Sequence, residues 1–183
     1  IKRSYLVKNV SSLIPTNKMD FNSIDDIKNT GFIGFKRIGK LFADDSLIPT
    51  TRGVYMVLYT SSEPPVFLEK GSGGFFKGKN PNVSIAELKS NWVNDTQVVY
   101  IGKAGKEGSS ATLKSRLRQY FQFGQGKDIG HYGGRFIWQI QNSNDLLVCW
   151  QELPEQDPRE VEYALLSEFM ENYKKLPFAN LVM

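Results

Sequence analysis

Two tyrosines, a lysine and an arginine follow one another along this chain in an order that suits work on a phosphodiester. Gly53-Val54-Tyr55 opens one apolar run, and Tyr100-Ile101-Gly102 closes another. Lys103-Ala104-Gly105 comes next, then a basic segment from Leu113 to Phe121 that carries Lys114, Arg116, Arg118 and Tyr120. Cations neutralise phosphate charge and hydroxyls relay protons. What such a set still needs is a carboxylate to hold a metal beside it.

Helical geometry says which of these groups can meet. At about 100° per residue, Leu113, Leu117 and Phe121 form a buried stripe. Arg116 and Tyr120 then share one border of that stripe, and Lys114 and Arg118 share the other. A border arginine can also do no more than snorkel to solvent. In the last long helix Val161, Leu165, Phe169, Tyr173 and Leu166 define an apolar arc, and Glu162 falls inside it. Glu160 and Glu171 fall on the solvent side, and Glu168 falls at the edge. A carboxylate among core positions needs a partner. Arg116, another cation or a divalent metal could serve, and so could a purely structural salt bridge.

These groups must be placed by strands and helices that the pattern also shows. Gly53 to Tyr59 reads as a central strand, apolar on both faces. Val98 to Ile101 is a second strand and Leu146 to Trp150 a third. Ser109 and Ser110 are the expected N-caps of the basic helix. Pro158 suits the first turn of the last helix, which should end before Pro177. Upstream, residues 1–50 form a lead-in: Asn22-Ser23 is a helix-start signal, Gly31 a helix end, and Phe35, Ile38, Leu41 and Phe42 have helical spacing. Residues 61–97 are a long insertion with Pro64-Pro65 and the run Gly71-Ser72-Gly73-Gly74. No Gly-Lys-Ser/Thr follows that run, so it is not a phosphate loop, and it reads as a flexible surface loop. Residues 124–134 hold five glycines and read as another loop.

Composition bounds the rest. The chain has 183 residues, a net charge of +4, one cysteine and one histidine. A mild positive charge tilts toward an anionic partner. A single cysteine excludes an internal disulfide, and with one histidine it cannot build a Cys/His zinc site. Cys149 lies in an apolar strand, where an inert thiol is expected rather than a nucleophile paired with His131. No apolar run is long enough to span a membrane. A reducing, cytoplasmic setting is the simple expectation. The chain opens on Ile1, which suggests a trimmed start.

The residues from about 50 to 183 resemble the GIY-YIG nuclease family. The pieces that carry the resemblance are Gly53-Val54-Tyr55, Tyr100-Ile101-Gly102-Lys103-Ala104, Leu113-Lys114-Ser115-Arg116-Leu117, Glu162-Tyr163-Ala164-Leu165-Leu166 and Pro177-Phe178-Ala179-Asn180. Each is short; their order makes the match specific. The resemblance implies an α+β fold, a small three-stranded antiparallel sheet flanked by helices. Residues 51–183 would form the nuclease domain with insertion 61–97, and residues 1–50 an N-terminal helical extension packed on it. It implies hydrolysis of DNA phosphodiester bonds, RNA not excluded, with one Mg²⁺ or Mn²⁺. Tyr55, Tyr100, Arg116, Tyr120, Glu162 and Asn180 would be catalytic, with Tyr100 as general base, and Glu162 would hold the metal. Asn180 lies eighteen residues after Glu162 but twelve after Glu168, the spacing of many members, so Glu168 is a rival ligand. Lys103, Lys106, Lys114, Arg118, Lys127, His131 and Arg135 are the candidates to hold nucleic acid. The protein would act as a monomer or homodimer. The alternative is a binding module of the same fold that has lost catalysis.

Overall fold

The computed structural model describes residues 18–106 and 108–183. The first 17 residues of the expected N-terminal extension lie outside the described residues. The fold is α+β, a four-stranded antiparallel sheet with helices on both faces. Its strands are β1 (Ile33–Arg37), β2 (Gly53–Leu58), β3 (Val98–Ala104) and β4 (Leu147–Glu152), in the order β1-β4-β2-β3. The expectation of three strands is therefore corrected. β1 comes from the lead-in and pairs with β4, Ile33 opposite Trp150 and Lys36 opposite Val148. Sequence periodicity hid it because the strand is interrupted at Gly34 (φ 99°) and Phe35 (φ 51°). Gly34 also lies against the Trp150 ring, which a Cβ there would approach to 2.6 Å.

β2 is central, and every one of its residues is buried. That follows from its apolar alternation on both faces. Tyr55 and Val57 face one core, with Tyr100, Val148 and Trp150. Val54, Met56 and Leu58 face the other, with Ile101 and Cys149. The first core is covered by α2 (Ile38–Ala43) and α4 (Leu113–Gly124), and the second by α1 (Ile24–Asn29) and α5 (Pro158–Tyr173). α2 begins later than its apolar spacing suggests, since Phe35 belongs to β1 and Phe42 is exposed.

α4 is capped by Thr112 rather than by Ser109 or Ser110. Thr112 Oγ1 accepts from the Ser115 amide at 3.1 Å, and Ser115 Oγ accepts from the Thr112 amide at 2.9 Å. Two further amides at this helix start, those of Leu113 and Lys114, donate to the Thr51 and Pro49 carbonyls at 2.8 and 3.0 Å.

The insertion is packed, not loose. It contains α3 (Ile85–Asn91) and is stitched to the segment after α4. The Ser72 amide donates to Trp138 O at 3.0 Å and the Gly74 amide to Phe123 O at 2.9 Å. The glycines of the run serve close approach: a Cβ on Gly74 would fall 2.0 Å from the Lys127 carbonyl oxygen. Buried Gln139 completes the join, donating to Leu68 O and Val83 O and accepting from the Val83 amide, each at 2.9 Å.

Candidate active site at the tyrosine cluster

Antiparallel register brings the two tyrosine runs together. Tyr55 pairs with Gly102, and Val57 with Tyr100. A one-residue irregularity in β3 shifts the register between Val57 and Leu58. Tyr55 and Tyr100 thus become diagonal neighbours on one face, with ring centroids 6.0 Å apart. Glycine at 102 is required here, because a Cβ would lie 2.5 Å from Tyr55 Cζ and 2.6 Å from its hydroxyl oxygen. Gly134 plays the same part for Tyr100, whose Cζ would sit 2.9 Å from its Cβ.

Tyr120 stands behind this pair. Its ring centroid is 5.6 Å from that of Tyr100 and 6.4 Å from that of Tyr55. It is fully buried, and its hydroxyl donates to the Gly134 carbonyl at 2.9 Å. The helical arc set it on a border with Arg116; the structure puts it in the core and leaves Arg116 half-buried. Its position is that of a support for the other two rings.

His131 also departs from expectation. It is 1% exposed, stacked on Tyr120 with centroids 4.2 Å apart, and so cannot contact a nucleic-acid backbone from the surface. Its Nδ1 lies 3.1 Å from the Gly133 carbonyl and its Nε2 3.4 Å from the Tyr55 hydroxyl. Burial, reinforced by the Arg116 charge, lowers its pKa to about 3, so the ring is neutral. Apart from its being the only histidine, inside a glycine-rich loop, the sequence carried no signal for this placement.

The charges come from the two helices. Arg116 on α4 makes a 3.4 Å hydrogen bond to Gln119 and no ion pair among the described residues. Glu162 on α5 is only 14% exposed and pairs with Lys103, which is 37% exposed. That pairing resolves the question raised by a carboxylate in an apolar arc: its partner is Lys103, not Arg116. Both charges act on the tyrosine hydroxyls. Burial pushes Tyr55 well up and Tyr100 to about 12, while the Arg116 field lowers both and Glu162 raises both. At neutral pH the two are phenols, able to donate and to accept. Glu168 has a different place, accepting from the Met19 backbone amide.

Asn180 is buried, with both amide atoms spent on one residue of β3. Its Oδ1 accepts from the Ile101 amide at 2.9 Å and its Nδ2 donates to the Ile101 carbonyl at 2.8 Å. It holds the strand between Tyr100 and Gly102. The basic candidates divide. Lys114 and Arg118 both engage Asp45, at 3.4 and 2.5 Å. Lys106 and Lys127 are exposed, as are Lys77 and Lys79 of the insertion. Arg135 stands over the Tyr132 ring, its Cζ 4.1 Å from the centroid, next in sequence to the glycine that lies against Tyr100.

Among the described residues no three His, Cys, Asp or Glu side chains come together as a metal cluster. A site of one carboxylate completed by water and phosphate oxygens is what Glu162 fits, and Mg²⁺ accepts such sets. Cys149 is buried, and burial pushes its thiol up, as an inert core residue requires. A cleft of about 850 Å³ lies at the other end of the β2–β3 pair, lined by Tyr59, Trp92 and Gln97 and by none of the tyrosine-cluster residues. Among the described residues no helix is long and apolar enough to cross a membrane. No protein-family model matches the chain, and neither does any curated protein or solved structure.

Proposed function

We propose that this chain is a divalent-metal-dependent endonuclease of the GIY-YIG type that hydrolyses DNA phosphodiester bonds. One observation carries the reading. Tyr55 on β2 and Tyr100 on β3 stand with ring centroids 6.0 Å apart, Lys103 of β3 holds Glu162 of α5, and Arg116 lies one turn of α4 before Tyr120, whose ring is 5.6 Å from that of Tyr100. A cation without an ion pair among the described residues, two hydroxyls and a single carboxylate are the parts that phosphodiester hydrolysis calls for.

In this reading Glu162 holds one Mg²⁺ or Mn²⁺, which supplies charge neutralisation at the scissile phosphate. Arg116 donates to the equatorial phosphate oxygens. Tyr100, the more exposed of the paired phenols, meets the attacking water, and Tyr55 orients it. A phenol held protonated by burial does not act as a free tyrosinate; it accepts a hydrogen bond from the attacking water and orients it, and the water's proton passes to a phosphate oxygen of the substrate. Lys103 holds the Glu162 carboxylate in place. Lys106, Lys127 and Arg135, joined by Lys77 and Lys79, hold the nucleic-acid backbone.

The test is plasmid nicking with Mg²⁺ or Mn²⁺ and a chelator control. Glu162→Gln should lower cleavage by about 10²–10³, with DNA affinity retained. Glu168→Gln should cut normally. Equal activity of Glu162→Gln and the unaltered protein removes Glu162 from the mechanism. The Lys103–Glu162 pair favours one second reading, because it neutralises the carboxylate without any metal. A binding module of this kind would hold DNA with salt-sensitive affinity and cut under no metal condition.

A further inference from the structure

His131 is left without a part in that scheme, although it is the only histidine of the chain and is buried in the cluster. The groups that face it are Tyr55 on β2, Arg116 and Tyr120 on α4, and the Gly133 carbonyl of its own loop. A carbonyl oxygen only accepts, so the 3.1 Å contact requires the proton to sit on Nδ1. Burial and the Arg116 charge disfavour a second proton, and Nε2 is therefore a bare lone pair. The Tyr55 hydroxyl at 3.4 Å reaches it and must act as the donor. With its hydrogen committed, the Tyr55 hydroxyl can only accept on its other side, where the Tyr100 ring stands with its centroid 6.0 Å away. Tyr100 is the outer member, 8% exposed against 1% for Tyr55 and 1% for His131.

We propose that His131 is a positioning residue that fixes the direction of the Tyr55 hydroxyl, which donates to Nε2 and keeps an acceptor oxygen toward the site it shares with Tyr100. The use of that oxygen belongs to the nuclease reading above; the direction of the bond does not. The stack on Tyr120 and the bond to Gly133 hold the imidazole in the one orientation that allows this. A neutral tautomer with the proton on Nε2 would reverse the bond and turn Tyr55 into a donor toward the site.

Because the chain has one histidine, its ring nitrogens give a single pair of ¹⁵N resonances. These should report a neutral ring protonated at Nδ1 from pH 5 to 8, and the Nε2 resonance should move in Tyr55→Phe. In the nicking assay His131→Leu should lower kcat roughly 10–100-fold with KM unchanged, less than the loss of a direct acid or base. His131→Gln, which keeps an acceptor, should recover part of that loss, and near-UV circular dichroism checks that both variants fold. A ring that titrates near its ordinary pKa, a proton on Nε2, or equal kcat in all three proteins overturns the inference and leaves the nuclease reading intact. Absence of metal-dependent cleavage by the unaltered protein overturns the nuclease reading and the catalytic consequence with it, while the resonances still decide the direction of the Tyr55–His131 bond.

Discussion

Burial keeps Tyr55, Tyr100 and Tyr120 protonated because each phenolate would lose its hydration, with no cation hydrogen-bonded to it among the described residues. Arg116 offsets part of that cost for Tyr55 and Tyr100, and Glu162 adds to it. The consequence for stability has a definite sign. A tyrosine in the unfolded chain ionises near pH 10, whereas burial raises Tyr100 in the fold to about 12 and the other two well above their ordinary value. The fold therefore binds these protons more tightly, and the stability they contribute is complete below about pH 10. It should be lost as pH rises from about 10 through 12. The tyrosinate absorbance of the buried three should rise late, together with unfolding. A single phase near pH 10 with the fold intact contradicts this account. His131 has the opposite sign: its stabilising neutrality is complete above about 6.5 and is lost as pH falls toward 3.

β3 is the element on which the site depends, and it is an edge strand. It carries Tyr100, Gly102 and Lys103, and its outer side would be left without backbone partners if the C-terminal segment did not cover it. Ala179 donates to Val99 O at 2.9 Å, and the Asn180 amide closes on Ile101 from both sides. Asn180→Leu removes both side-chain bonds and leaves buried Ile101 backbone groups unsatisfied, which should cost about 1–3 kcal/mol. Denaturant unfolding measures that loss, and hydrogen exchange at the Ile101 amide should speed up with it. Unchanged stability and exchange contradict the positioning role. The sequence displayed such parts unequally. Strands β2, β3 and β4 and helices α4 and α5 announce themselves through apolar periodicity, and Pro158 marks the α5 start. β1 does not, because Gly34 and Phe35 take positive φ and break the period. The helical arc found Glu162 from its burial but not its partner: Lys103 lies 59 residues away on another element. His131 and Asn180 take their meaning from backbone atoms, which no side-chain pattern reveals.

At the scale of the whole molecule the question is which cations remain for a polyanion. A net charge of +4 is small, so the distribution matters more than the sum. Lys114 and Arg118 stand on the exposed edge of α4, but Asp45 of the lead-in engages both, and the Arg118 hydrogen bond lowers the Asp45 pKa. Lys103 is held by Glu162. The insertion and the glycine loop behave differently. The Lys77 amide donates to Asp128 at 3.1 Å, the Tyr132 hydroxyl to Asn80 O at 3.1 Å, and Lys79 stands 6.0 Å from the Tyr132 ring centroid. These contacts gather Lys77, Lys79, Lys127 and Arg135 beside the loop that carries His131 and Gly134. The insertion thus brings cations beside that loop. Each cation on a phosphate contributes about 0.9 to the slope of log K against log salt for duplex DNA. Replacing Lys77, Lys79 and Lys127 by alanine should flatten that slope by about 2–3 and weaken binding most at low salt. Replacing Lys114 and Arg118 should change it less, since Asp45 already engages both and cancels one of their two charges. Filter binding or fluorescence anisotropy over a salt series separates the two sets. A steeper loss from Lys114 and Arg118 than from the insertion lysines would move the nucleic-acid track to the edge of α4.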